Sequence, residues 1–193
     1  MPDDLASSAS RDGAPEVDLD EVVSRYLPRL HAYVRLHMGG ALRAKEQSLD
    51  VVQSICREVL EERGRFEYQG EGQLVSWLLT AATNKLRERA RFHGRQKRDS
   101  DREQVADQVD TSVYASLVTP SQDVVRAERI EALEQALKRL PDDYREVIVL
   151  ARIVGLSHAE ISERMGKEGS ATRNLLGRAL TRLAEELGGD TTV

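Results

Sequence analysis

The chain has 193 residues, a formal net charge of −5, 32% charged residues and only 4% aromatic residues. One large aromatic-rich core is excluded, and small helical units are expected instead. The single cysteine, Cys56, excludes an internal disulfide and any CxxC metal or redox motif; among Val52, Ile55 and Val59 it reads as a small core residue.

The first 16 residues are rich in Ser, Asp, Ala and Gly and read as a disordered acidic tail. They lack the apolar segment of a secretory signal, and no later apolar run is long enough to span a membrane, so a soluble cytoplasmic protein is expected. Apolar residues then recur at helical spacing as Val22, Val23, Tyr26, Leu27, Leu30 and Val34, with Pro28 placed to kink the helix and Gly39-Gly40 to stop it. A second helix is predicted from about Ser48 to Arg63. Leu49, Val52, Ile55, Val59 and Leu60 lie on one side of it, and Gly64 stands at its end. The loop RFEYQGEG follows. A third helix starts near Gln73, turns Leu74, Trp77, Leu78, Ala81, Ala82 and Leu86 inward, and runs on into KLRERARFHGRQKR.

That last run carries Lys85, Arg87, Arg89, Arg91, Arg95, Lys97 and Arg98 against Glu88 alone. The acidic average comes from elsewhere. Residues 1–21 hold seven acids against Arg11, and residues 99–123 hold six against Arg102. Seven cations against one acid point to nucleic acid rather than to a merely solvated face.

Residues 99–119 read as a flexible acidic linker. Thr119-Pro120-Ser121-Gln122 is a helix start, and the helix uses Val124, Val125, Ile130, Leu133, Leu137 and Leu140. Pro141 breaks it and opens the next, which holds Val147, Ile148, Leu150 and Ile153 and ends at Gly155. Ser157-His158-Ala159-Glu160 is a capping box opening a short helix with Ile161 and Met165 inward. The turn Gly166, Lys167, Glu168, Gly169, Ser170 leads into a helix with Ala171, Leu175, Leu176, Ala179, Leu180 and Leu183 on its buried stripe. Its opposite face carries Arg173, Asn174, Gly177, Arg178, Thr181 and Arg182, with no acid before Glu185.

This is a helix-turn-helix. The exposed face offers cations for phosphate and an amide for a base edge. Taken alone, the pattern leaves an ordinary helical hairpin with a solvated basic face open. The expected fold is all-α: a tail (1–16), a helical domain (17–98), the linker (99–119), a helix-turn-helix domain (120–188) and a short tail (189–193). An enzyme is not expected. There is no GxxxxGK phosphate loop, HExxH or GxSxG motif, and His31, His37, His93 and His158 are scattered. No cofactor or metal is called for.

Two blocks together resemble the bacterial sigma-70 family in its small extracytoplasmic-function (ECF) type. The first, SLDVVQSICREVLEERGRFEYQGEGQLVSWLLTAATNKLRERAR, carries Asp50, Gln53, Gly70, Trp77, Leu78 and Asn84 at the family's positions. The second, ALKRLPDDYREVIVLARIVGLSHAEISERMGKEGSATRNLLGRALTRL, carries Leu140, Pro141, Arg145 and Glu146. The resemblance implies a factor that binds core RNA polymerase, directs it to promoter DNA and helps open the duplex. It leaves an anti-sigma factor open as a further partner and implies no membrane partner.

By the same resemblance, Leu49, Asp50, Gln53 and Ser54 dock on polymerase. Arg65, Tyr68, Gln73, Asn84, Lys85, Arg87 and Arg91 read and melt the −10 element; the residues themselves leave Phe66 and Tyr68 open between a pocket for an unstacked base and core packing at a domain edge. Arg173, Asn174, Gly177, Arg178 and Arg182 read the −35 element. Four residues depart from the family pattern: Ser54 replaces an acid, Lys167 an apolar turn residue, Glu168 a Ser or Thr cap, and Thr172 an aliphatic. The rival readings are a stand-alone helix-turn-helix regulator, which leaves the first block unexplained, and a helical adaptor with no DNA role.

Overall fold

A computed structural model describes residues 19–65, 70–95, 111–114, 117 and 123–189. Among these residues the chain is helical throughout, with no strand. The N-terminal half comprises α1 (Leu19–His37), the single turn α2 (Gly40–Arg43), α3 (Ser48–Glu62) and α4 (Glu71–Arg95). The C-terminal half comprises α5 (Asp123–Arg139), α6 (Asp142–Ile148), α7 (His158–Met165) and α8 (Gly169–Gly189). The expected start Thr119–Gln122 lies outside the described residues, as do the tails 1–16 and 190–193.

In the first half α1, α3 and α4 pack pairwise into a bundle. Helix α1 runs through Pro28 rather than ending there. Proline removes one backbone donor, so the Ser24 carbonyl loses its usual partner while the apolar face carries the helix on. Buried Val22, Val23, Leu30, Val34 and Leu36 meet Val51, Val52, Ile55 and Val59 of α3 and Leu74, Leu78, Leu79, Ala82 and Leu86 of α4 in the core. Truncating a fully buried residue such as Leu78 to Ala costs about 2–5 kcal/mol. His31, fully inside, is satisfied by Ser48, with Nε2 and Oγ 2.6 Å apart.

The expectation for α3 is corrected in one respect. Leu49 and Leu60 are 44% and 38% exposed, and Val51 is buried in their place. At about 100° per residue, Val51, Val52, Ile55 and Val59 fall on one side, whereas Leu49, Gln53 and Leu60 stack on another.

In the second half α6 and α8 pack closely, with α5 and α7 also against α8. Pro141 precedes α6, as the sequence implies. Helix α6 then widens into a π turn over Val149–Val154, closed by Gly155 at φ +85° with its N–H on the Leu150 carbonyl. The wider turn lets Val147, Ile148, Val149, Leu150, Ile153 and Val154 all be buried, on more than one side of the element. That suits an element packed on α8 and on α1 at once.

The two halves share one continuous core. They are therefore joined more closely than a flexible linker requires. A 3-10 turn at Thr111–Tyr114, inside the 99–119 segment, packs on α1, α5 and the π turn, and its Tyr114 is wholly buried.

Candidate nucleic-acid interface

Helix α7 opens on the predicted capping box. Ser157 Oγ accepts from the Glu160 N–H, and the Glu160 carboxylate accepts from the Ser157 N–H at 2.7 Å. Gly166 ends the helix at φ +62°, the left-handed conformation that glycine adopts without strain. The departures in the turn have structural roles. Lys167 Nζ pairs with Asp143 of α6 at 3.0 Å. The Glu168 carbonyl accepts from the Thr172 N–H at 2.9 Å, so the recognition helix α8 starts at Gly169, two residues before the Ala171 expected to open its apolar pattern.

Thr172 also corrects the stripe. It is fully buried, whereas Ala171 is exposed. Its Oγ1 donates to the Glu168 carbonyl at 3.1 Å and accepts from Ser162 Oγ at 2.9 Å. A polar side chain is held inside because both of its hydrogen-bonding capacities are met. Thr172, Leu175, Leu176, Ala179 and Leu183 form the buried stripe, with Leu180 half-buried.

Opposite it, Arg173, Asn174, Gly177, Arg178 and Arg182 are all exposed. They are not equivalent. Arg182 is tied to Glu185 at 2.9 Å and Glu186 at 2.8 Å. Arg173, Asn174 and Arg178 make no side-chain hydrogen bond or ion pair among the described residues, so they meet a ligand without first breaking a bond. A bare Cα at Gly177, with open space around it, lets another backbone come close.

The second face lies on α4. Gly70, at φ +126°, precedes the helix and accepts from the Leu74 N–H at 3.2 Å. Gln73, Thr80, Asn84, Arg87 and Arg91 recur at intervals of seven, four, three and four, all exposed on one stripe opposite the core. The basic run is less free than its composition implies. The Lys85 side chain is only 11% exposed and is paired with Glu58 at 3.1 Å and Glu88 at 2.9 Å. Its hydrogen bond to Glu88 holds its pKa above the ordinary lysine value, against desolvation. Arg89 faces Glu46 and Ser54, both at 3.4 Å, and His93 lies 2.5 Å from the same Glu46. Arg87 and Arg91 remain on the stripe, Arg91 donating to the Arg87 carbonyl. Arg65 ends a 3-10 turn, with its side chain outside the described set, and Phe66 and Tyr68 lie outside the described residues.

The third face is on α3. Leu49, Asp50 and Gln53 are exposed; Ser54 is half-buried beside Arg89. Leu60, which the sequence reading placed inside, extends the same apolar edge. Eleven residues at about 100° each bring Leu60 to within about 20° of Leu49 around the helix, and that angle is the signal the sequence carries.

These faces and this fold define a two-domain helical protein of the helix-turn-helix class. The Sigma-70 region 2 family model matches residues 22–96, and the Sigma-70, region 4 model matches residues 130–183. The RNA polymerase sigma factor CarQ of Myxococcus xanthus is 30% identical over 92% of this chain and 93% of its own length. The ECF RNA polymerase sigma factor SigD of Mycobacterium tuberculosis is 27% identical over 88% of this chain and 76% of its own. A solved sigma factor RpoE from Bartonella quintana, in complex with the anti-sigma factor NepR, shares the fold at a TM-score of 0.57 and 24% identity, over 89% of this chain and 97% of that one. CnrH in complex with the cytosolic domain of CnrY does so at 0.55 and 23%, over 89% and 88%.

The chain belongs to the sigma-70 family, in its ECF branch. Its role is that of a sigma factor, directing RNA polymerase to promoters at transcription initiation. Among the described residues no helix is long and apolar enough to cross a membrane.

Proposed function

We propose that this sigma factor holds a promoter at two points while α3 docks on core RNA polymerase. The reading rests chiefly on the exposed, unpaired trio Arg173, Asn174 and Arg178 on a braced recognition helix. Asn174 suits the two-point edge of adenine; the two arginines suit guanine or phosphate. This helix reads the −35 element.

The α4 stripe takes the −10 element. Gln73 and Asn84 supply amides, and Arg87 and Arg91 supply charge for the backbone. Arg65 and Tyr68 complete the −10 contacts and receive an unstacked base. Lys85 holds α4 on α3 through Glu58 rather than meeting DNA. Leu49, Asp50, Gln53, Ser54 and Leu60 form the polymerase-docking edge. Exposed Leu49 and Leu60 supply apolar area beside the polar groups, the mixed composition such interfaces carry.

The chain itself catalyses no reaction; polymerase supplies the chemistry. It works in the cytoplasm, with core polymerase and promoter DNA as partners. Two solved relatives of the same fold are held by NepR and by the cytosolic domain of CnrY, and an anti-sigma factor is a partner here too.

Co-elution with core polymerase in gel filtration tests the reading. A shared peak is expected. A chain that binds promoter DNA but never joins polymerase would instead be a stand-alone regulator.

A further inference from the structure

Among the described residues three large apolar side chains stand exposed: Leu49, Leu60 and Phe92, the last at 53%. Exposed apolar residues scattered singly need no explanation. These are not scattered. Leu49 and Leu60 share the outer edge of α3, and Phe92, near the end of α4, stands beside the beginning of that same helix. The pairing of the two helices puts it there. Lys85 meets Glu58, Arg89 faces Ser54, and His93 meets Glu46 just before α3. As α4 advances it meets α3 progressively earlier, so the helices run antiparallel and Phe92 comes level with the first turns of α3.

Helical angle decides which side of α4 Phe92 occupies. At about 100° per residue it falls about 20° from Lys85, the residue that α4 turns toward Glu58. It lies about 100° from Arg91 and about 140° from Arg87, the cations of the stripe assigned to promoter DNA. An exposed aromatic on a basic helix is otherwise a stacking platform for an unpaired base, but this one stands off the cationic stripe such a platform needs. Its ring meets the His93 ring edge-on, with centroids 5.1 Å apart, and His93 is held by Glu46.

Ser54 adds a second argument. It stands where the family resemblance has an acid, and it is half-buried beside Arg89. The docking edge therefore lacks a charge at that level. Phe92 is three residues beyond Arg89, within one turn of the missing contact. By helical angle, exposed Gln53, Arg57 and Asp50 lie between the two leucines and α4, and they give the face its polar part. Three apolar side chains fall far short of the roughly 1,200 Å² that a stable pair of chains buries. The patch suits one part of a larger interface, the one with polymerase, better than a second copy of this chain.

We propose that Phe92 is an aromatic anchor for core RNA polymerase: it carries the α3 docking edge across onto the end of α4 and lengthens the life of the complex. This rests on the assignment of the α3 edge to polymerase. An aromatic side chain buried at an interface is a frequent energetic centre, and its loss acts chiefly on dissociation.

Surface plasmon resonance of the full chain on immobilised core polymerase tests this, beside promoter opening measured across chain concentrations. Phe92→Ala is expected to weaken polymerase binding by roughly five- to thirtyfold, mostly through faster dissociation. The loss should be equal at low and high salt, because no charge is removed. Phe92→Leu, which keeps apolar area, recovers most of the affinity. Both variants melt at the wild-type temperature, since the ring is exposed. The opening defect of Phe92→Ala is overcome by raising the chain concentration.

Wild-type affinity in Phe92→Ala overturns the anchor. So does normal affinity with an opening defect that persists at saturation, which would make the ring a base-stacking platform. A wild-type chain that pairs with itself while Phe92→Ala stays monomeric, at equal polymerase affinity, overturns it as well, and so does an early melt, which would place the ring inside the fold. Asp50→Arg separates this inference from the reading beneath it. If Asp50→Arg weakens binding and Phe92→Ala does not, the α3 edge stands and the anchor alone fails; if neither does, the α3 assignment fails too.

Discussion

Thr172 Oγ1 lies 2.9 Å from Ser162 Oγ, joining the two helices of the helix-turn-helix through a buried hydroxyl pair. Ser162 has a second acceptor within reach, the His158 carbonyl at 2.6 Å. Removing the threonine hydroxyl therefore strands no donor. Thr172→Val is expected to change stability by less than about 1 kcal/mol, whereas Thr172→Asp, which buries a charge, costs about 3 kcal/mol or more. Urea unfolding of both variants checks this; equal losses would contradict it.

Arg173 and Arg178 are free and Arg182 is paired, so equal truncations should act unequally. Arg173→Ala or Arg178→Ala is expected to weaken promoter binding by about 1–3 kcal/mol if it meets a base, or to flatten the salt dependence by about one unit of slope if it meets phosphate. Arg182→Ala should cost less than either. Run-off transcription across a salt series separates the three, and charge reversal at Arg173 or Arg178 should spare polymerase binding.

The same contrast holds on α4. Arg87→Ala and Arg91→Ala should impair promoter opening and leave the fold intact. Lys85→Ala should chiefly loosen α4 from Glu58 on α3, lowering the unfolding temperature. Permanganate footprinting of the melted region beside a thermal melt distinguishes the two effects. A Lys85→Ala chain that melts normally but opens no promoter would move Lys85 back to the DNA.

Tyr114 carries a pH signature. Burial, with the Glu134 charge second, holds its phenol well above the ordinary value of 10.0. A folded-state pKa above the unfolded one gives stability that is complete below the unfolded value and lost as pH rises beyond it. Stability should therefore fall above about pH 10, and more shallowly in Tyr114→Phe, since the unfolded wild type ionises there and the folded form does not. Urea midpoints measured on the alkaline side check the sign.

Much of this architecture was legible in the sequence. The capping box at Ser157, the stop at Gly166 and the basic face of α8 follow from local rules that burial does not override. What escaped depends on partners distant in sequence. Leu49 and Leu60 look like core residues until the helical angle places them beside Gln53. Thr172 looks too polar for the stripe until Ser162 and Glu168 satisfy it. Lys85 counts as a free cation until Glu58 arrives from another helix. Tyr114 sits in a stretch whose acidic, aperiodic composition says linker, and only Arg35 and Glu134 give its hydroxyl a place inside. The π turn has no periodic signal, because it breaks the 3.6-residue period that marks a helix.

The central claim is that this chain gives polymerase its promoters. Transcription by core RNA polymerase on a genomic library, with and without the chain, tests it most directly. Defined start sites should appear only when the chain is present and disappear with Arg173→Glu plus Arg178→Glu. Start sites that are identical with and without the chain would contradict it.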